Sequence, residues 1–470
     1  MAHMFRSSAV ASALLLANVG RVHADRSLTL DDAIGLARTY NRDLRAARER
    51  IAMADAGVEQ VRSALLPTVV AQGKYTHNYK EVDFDYSALS APTLALGDAI
   101  RMTSGNAAEA AAIQAVEDQT KAAFAGQPPV VIQKEEQLDG LVSATVPVIA
   151  PATYFALSAA KRTRDASFAT YQVNEASVLV SVAQAYFAAA GTDELVVARR
   201  DAVTVATETF DVAKARVAAE LANQVESTRA ETALVRAQQD LAEAENTRAA
   251  AYRALATLLG TREPITVRAA DTLPAEPGAL DALVGEAHSH RPEITAQKAS
   301  IAAAEATTQE HTWRWSPTLS AFGNVRLQNY TGFSGDKYAW ALGLELDWIL
   351  YDGGARDAQR HLALAQRREA EARLELIGDS VSDEVANAHG SVETKRKGVG
   401  SAQRAVELAR ETLRLVRAQY EAGTAKQLDV LQAQDVLVSA EVGLAQAHFD
   451  VALADLQLRR ATGDFPGRAR

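Results

Sequence analysis

Residues 338–350 read YAWALGLELDWIL, and this stretch decides the fold. Every second residue is large and apolar: Tyr338, Trp340, Leu342, Leu344, Leu346, Trp348 and Leu350. Between them lie Ala339, Ala341, Gly343, Glu345, Asp347 and Ile349. Side chains on a strand point alternately to opposite faces, so the pattern predicts a strand with one greasy side. The other side carries two carboxylates, Glu345 and Asp347, which suits a water-filled lumen. Trp340 and Trp348 lie near opposite ends of the apolar band, where aromatic girdles meet lipid. The length covers the ~9–11 residues that a tilted strand needs to cross a bilayer.

Working outward, the preceding residues 317–330 form a partner strand. Leu319, Ala321, Gly323, Val325 and Leu327 alternate with Thr318, Ser320, Asn324, Arg326 and Gln328, and Phe322 breaks the polar side. Two weaker copies lie earlier, near residues 67–79 and 138–150. Val69, Ala71, Gly73 and Tyr75 oppose Gln72, Lys74 and Thr76; Val142, Ala144, Val146 and Val148 oppose Ser143 and Thr145. The second copy's strands span residues 317–330 and 337–351. The chain offers no further sheet partners. Four strands cannot close a barrel, and open edges in lipid leave backbone groups unpaired, so the chain must oligomerise. Three copies supply twelve strands.

The weak strands echo the strong ones because the chain repeats itself. At an offset of 250, Leu30, Asp31, Ala37, Ala46, Ile51, Ala52, Pro67 and Gly73 meet Leu280, Asp281, Ala287, Ala296, Ile301, Ala302, Pro317 and Gly323. At an offset of 203, Glu208-Thr209, Ala222, Gln224, Leu234-Val235, Leu255 and Gly260 meet Glu411-Thr412, Ala425, Gln427, Leu437-Val438, Leu458 and Gly463. Residues 25–260 thus form one repeat and 280–463 a second. Residues 261–279, with Pro264, Pro274, Pro277 and Gly278, link them, and 464–470 form a tail. The offsets differ because the first repeat carries an insert, roughly residues 81–136, where the second has a short turn at 331–336. Placed between strands, the insert is an extracellular loop. A cap on the barrel, a surface-partner site and uncommitted decoration all remain open for it.

Each repeat also holds a long proline-free stretch, 156–219 and 355–422, about 100 Å if helical at ~1.5 Å per residue. Glycines 378, 390, 398 and 400 interrupt the second. Helices of this length pack like coiled coils. Shorter helices return over 224–259 and 427–461 after tips at 220–223 and 423–426. Two more, at 30–65 and 280–313, precede the strands. The fold class is therefore mixed α+β: a membrane β-barrel continued by a long α-helical barrel of hairpins, with an internal two-fold repeat.

Composition agrees. Apolar residues make up 48% but aromatics only 6%, because alanine and leucine carry the count. There is no cysteine, which removes disulfides, thiolate metal sites and cysteine nucleophiles. A net charge of -10 disfavours nucleic acid as a partner. Residues 1–24 read as a signal peptide: Arg6, an apolar run from Ala9 to Val19, then Val22-His23-Ala24. No phosphate loop, dinucleotide fingerprint, zinc spacing or nucleophile elbow occurs, so neither enzyme activity nor a cofactor is expected. His288 and His290, two apart, face different sides of a helix and make a poor metal pair.

Taken in order, four pieces resemble the TolC family of outer-membrane efflux proteins over nearly the whole mature chain. They are the duplicated helix–strand plan; Leu28-Thr29-Leu30-Asp31-Asp32-Ala33-Ile34 with Leu65-Leu66-Pro67; Leu350-Tyr351-Asp352-Gly353-Gly354-Ala355-Arg356; and Tyr420-Glu421-Ala422-Gly423-Thr424 followed by Asp429-Val430-Leu431-Gln432-Ala433. The resemblance implies a homotrimer in the outer membrane with a 12-stranded β-barrel and a 12-helix α-barrel reaching into the periplasm. It implies a periplasmic adaptor and an inner-membrane transporter as partners, outer-membrane lipid around the barrel, and porin-like passive export of small molecules. An outer-membrane duct for type I protein secretion is the alternative. By position, Tyr420 and Glu226 resemble a gating pair, and Asp429 a pore-lining carboxylate ring able to attract cations. Lys426 lies beside Ala425, which replaces a basic residue of the family gate. Gln432 replaces a second pore aspartate. Gly423, Thr424, Glu220 and Leu221 fall at the adaptor-docking tips, where Glu220 stands in place of the family's usual glycine. An adhesive coiled-coil trimer and a soluble periplasmic binding protein are readings of other classes; lumen-side Glu345 and Asp347 speak against the first.

Overall fold

The computed structural model of the chain describes residues 27–85, 87–124, 129–268 and 275–465. The expected signal peptide lies outside them, as do residues 269–274 of the linker, most of the tail, and Tyr86 and Pro128 of the insert. The described residues fall into two compact units.

One unit, residues 57–161 and 305–365, contains the strands. In chain order these are β1 (Thr68–His77), β2 (Val82–Phe84), β3 (Val130–Gln133), β4 (Glu136–Ile149), β5 (Thr318–Gln328) and β6 (Tyr338–Asp347). The main sheet is antiparallel with order β1-β4-β5-β6. Its two repeats therefore meet at the β4–β5 ladder, and β1 and β6 are left as free edges. The insert supplies a second, two-stranded sheet of β2 and β3, which corrects the expectation that no further strands exist.

β6 is shorter than the expected 337–351. It ends at Asp347, paired with Thr318, because the next residue of the partner strand is Pro317, which has no N–H for the ladder. Trp348 thus lies beyond the strand, and its indole N–H donates to the Trp315 carbonyl at 3.1 Å. The chain then turns through Gly353 and Gly354, both with positive φ (71° and 86°), into a helix start held by Arg356. Its guanidinium Nε donates to Asp352 Oδ2 at 2.8 Å and stacks 4.2 Å from the Trp315 ring.

The other unit, residues up to 56, 162–304 and from 366 onward, is helical. The helices in chain order are α1 (Leu30–Tyr40), α2 (Arg42–Ser63), α3 (Ser87–Thr103), α4 (Ala107–Phe124), α5 (Pro151–Ala218), α6 (Gln224–Leu259), α7 (Leu280–His290), α8 (Pro292–Trp313), α9 (Ala355–Glu421) and α10 (Gln427–Thr462). α3 and α4 belong to the insert and so to the strand unit. α5 and α9 run 68 and 67 residues without a break, so the glycines of α9 do not interrupt it. The cause is a heptad seam: Val385, Val392, Val399, Val406, Leu413 and Tyr420, seven apart, are all buried. Burying each of these contributes roughly 1.5–3 kcal/mol, against about 1 kcal/mol lost per interior glycine.

The helices expected over 30–65 and 280–313 are each broken in two. Asn41 takes an extended backbone (φ -61°, ψ 132°), and Arg291 does the same one repeat later (φ -66°, ψ 128°). Asn41 Oδ1 accepts the N–H groups of Asp43 and Leu44 at 2.9 and 3.0 Å, capping α2, while its Nδ2 donates to the Leu258 carbonyl at 2.7 Å. At the second break, proline opens α8 at a position where its missing N–H costs nothing. Each return helix ends on a left-handed glycine against the equivalent break. A Cβ on Gly260 would stand 2.5 Å from the Tyr40 carbonyl oxygen; one on Gly463 would stand 3.0 Å from the His290 carbonyl carbon. Leu44, Leu179, Val182, Leu255 and Leu259 form the first repeat's core, and Ile294, Val385, Val392 and Leu458 the second's.

Candidate functional site

Two features carry the functional reading, one in each unit. In the strand unit it is the register. Residues directly opposite in an antiparallel ladder share a face. Tyr338, Trp340, Leu342, Leu344 and Leu346 pair with Leu327, Val325, Gly323, Ala321 and Leu319. Val325, Gly323 and Ala321 pair in turn with Val142, Ala144 and Val146, and the first two of these with Ala71 and Val69. One continuous face across all four strands is therefore apolar. Leu342 and Leu344 on it are exposed, as are Val69, Val142 and Val325. Its aromatics Tyr75, Tyr338 and Trp340 gather towards one end, with Trp348 beyond the other.

The opposite face carries the sheet's charged and polar side chains, with small residues, Leu141 and Phe322 among them. Asp347 and Glu345 pair with Thr318 and Ser320; Ala341 and Ala339 pair with Asn324 and Arg326; Gln72 and Lys74 pair with Leu141 and Asp139. Arg326 reaches across to Asp139 at 3.1 Å. Phe322, which broke the sequence alternation, lies over its cross-strand partner Gly343: a Cβ there would meet the ring at 2.9 Å. The aromatic covers the bare backbone of a strand glycine, so its place on the polar face is structural.

In the helical unit, the tips gather the remaining expected residues. The turn after α5 holds Glu220, whose φ of 60° makes it the one non-glycine with a left-handed backbone among the described residues. Gly423, its counterpart at the offset of 203, has φ 76°. Both tips close with the same bonds: Leu221 N–H to Arg216 O at 2.9 Å, and Thr424 N–H to Gln419 O at 2.9 Å. Leu221 is exposed beside its turn.

The second tip then folds onto the first hairpin. Tyr420, the last buried residue of the α9 seam, donates its hydroxyl to Glu226 Oε2 at 2.9 Å. Two residues not anticipated from sequence complete the contact. Arg216 lies 4.6 Å over the Tyr420 ring and donates to its carbonyl at 3.3 Å. Gln427, buried at the start of α10, donates Nε2 to the Glu226 carbonyl at 2.5 Å. Comparing repeats would have flagged Arg216, since its counterpart is the uncharged Gln419. Burial, then the Glu226 carboxylate, push the Tyr420 phenol above its ordinary value.

Asp429 occupies the position equivalent to Glu226 but does something else. Its Oδ2 accepts the Lys426 N–H at 2.9 Å, capping α10. The Asp429 side chain is exposed. Gln432 lines a groove of about 740 Å³ among α5, α6 and α10, with Arg229, Arg236 and Asp435.

The family model described as outer membrane efflux protein matches residues 142–261 and 283–464, more than half of the chain and part of both repeats. The chain belongs to the outer membrane efflux protein family. It is an outer-membrane protein of the TolC-like group. The outer membrane efflux protein BepC of Brucella suis is 28% identical over 42% of this chain and 42% of its own length. The outer membrane protein OprJ of Pseudomonas aeruginosa is 27% identical over 45% and 46%. The chain spans about half the length of these curated relatives. Among solved structures, the outer membrane protein VceC of Vibrio cholerae is 18% identical, covers 92% of this chain and 96% of its own, and superposes with a TM-score of 0.68. That likeness extends the family fold across both repeats.

Proposed function

We propose that this efflux-family chain is the outer-membrane channel of a tripartite system. Three copies close a 12-stranded barrel, and their paired long helices form a periplasmic duct. A periplasmic adaptor docks at the tips around Glu220, Leu221, Gly423 and Thr424, and an inner-membrane transporter supplies both small-molecule cargo and energy. Conduction is passive. In this reading Glu345 and Asp347 line the lumen, Trp340 and Trp348 face lipid, Tyr420 and Glu226 hold the periplasmic end closed near Lys426, and Asp429 contributes a carboxylate ring.

The observation that carries the proposal is the sheet: one face apolar over all four strands, the other bearing the charged and polar side chains, and both edges open. Such a sheet is satisfied in lipid only when its edges are paired by other copies. The test is extraction of the outer membrane in mild detergent followed by semi-native electrophoresis. A heat-labile band at three times the chain's mass is expected. A soluble monomer overturns the reading.

A further inference from the structure

The insert is a helical hairpin that buries a charged pair and leaves an apolar stripe exposed. Two helices in water ordinarily bury apolar side chains between them and expose polar ones. Here the side of α3 facing α4 carries Ser90, Gly97 and Arg101 beside half-buried Leu94, and α4 adds half-buried Ile113 and Phe124. Across from them, Glu117 of α4 is buried, its Oε2 3.3 Å from Arg101 Nη1. The outward side of α3 is apolar instead. Leu89, Leu96 and Ile100, spaced seven and four apart, form one stripe, with Leu96 61% exposed. Exposed Ala88, Ala95 and Ala99 lie along one flank, exposed Pro92 and Thr93 lie within it, and no charged residue lies on that side. The outward side of α4 is mostly polar: Glu109, Asp118, Gln119 and Lys121 face solvent beside a single exposed valine, Val116. The continuous apolar stripe is on α3.

Continuity with the open sheet edge identifies what covers it. The hairpin hangs on β2 and β3, which continue from β1 and β4, and β1 is the free edge of the main sheet. Whatever pairs with β1 is brought beside the insert. Small alanines along its flank let another helix approach closely. A helix lying on a membrane surface instead carries Lys and Arg on its flanks, and this stripe has none.

We propose that the hairpins of residues 87–124 from three copies pack through the α3 stripe about the assembly axis and cap the outer mouth of the channel. The proposal rests on the trimeric reading above, and its test separates the two. The chain has no cysteine, so Leu96→Cys and Asp118→Cys each introduce one thiol. Both variants are expressed in the outer membrane and treated with a short bismaleimide; Ile100→Cys serves as a second probe of the stripe. Leu96→Cys and Ile100→Cys are expected to give cross-linked chains on a denaturing gel, and Asp118→Cys none. The semi-native gel of the same samples reports the trimer independently. Intact trimers in which Leu96→Cys and Ile100→Cys fail to cross-link overturn the cap and leave the channel standing. In that case, labelling by a membrane-impermeant maleimide marks an open surface, and protection from it marks lipid. Loss of trimers in all samples, the unaltered chain included, overturns both.

Discussion

Glu220 holds a backbone conformation that glycine adopts freely and other L-residues adopt at a cost of roughly 1–2 kcal/mol. The turn over-determines it, since both α5 and α9 must reverse with the same bonds. Glu220→Gly relieves the strain but frees the unfolded chain, so a net gain of about 0.5–1 kcal/mol is expected. Chemical denaturation in detergent checks this; an unchanged or lower midpoint removes the strain argument. A second residue responds to pH. Burial, then the hydrogen bond from Tyr252 to Asp193 at 2.6 Å, raise the Tyr252 phenol from 10.0 to about 12. The folded state therefore holds this proton where the unfolded chain has released it. The stabilisation is complete below about pH 10 and drains away as pH climbs to about 12. Thermal melts of Tyr252→Phe are expected to fall less steeply across that window than those of the unaltered chain, and parallel curves count against it.

At the scale of elements, the pairing of return-helix ends with the Asn41 and Arg291 breaks organises each repeat. Gly260 meets both demands of its position, a positive φ and a close carbonyl. Gly260→Ala is expected to cost at least about 2 kcal/mol, read as a lower thermal midpoint, whereas Gly278→Ala, with open space around it, changes little. Equal midpoints for the two variants contradict this. How far these elements were readable differs by residue. Long α5 and α9 follow from the lack of proline. The break at Arg291 is announced by Pro292, but the break at Asn41 is made by a side-chain cap that ordinary helix formers surround. The offset of 250 does place Arg42 opposite Pro292, which is the signal that locates it. The insert was the hardest to read. Periodicity rules take the apolar side of a helix to be its interior, and in α3 that assumption fails.

For the whole molecule, the sheet faces were readable from alternation, most strongly in β6, and the ladder aligns the weaker strands with it. The tip was readable in part. Tyr420 and Glu226 share a hydrogen bond, and Asp429 caps its own helix. The contact joins the two repeats' hairpins, so in the proposed channel loosening it is expected to widen the periplasmic end. Tyr420→Phe combined with Glu226→Gln should raise single-channel conductance in planar bilayers; unchanged conductance retires the pair as a latch.

The two open edges have a genetic consequence. In the proposed trimer each is completed by a sibling chain, so a copy with a spoiled edge disables intact copies that join it. In a cell making sound and edge-defective chains in equal amounts, roughly one assembly in eight would be wholly sound if three copies combine at random. A proline in β6 would thus behave as a dominant poison, and one faulty allele would silence most of the product of its healthy neighbour.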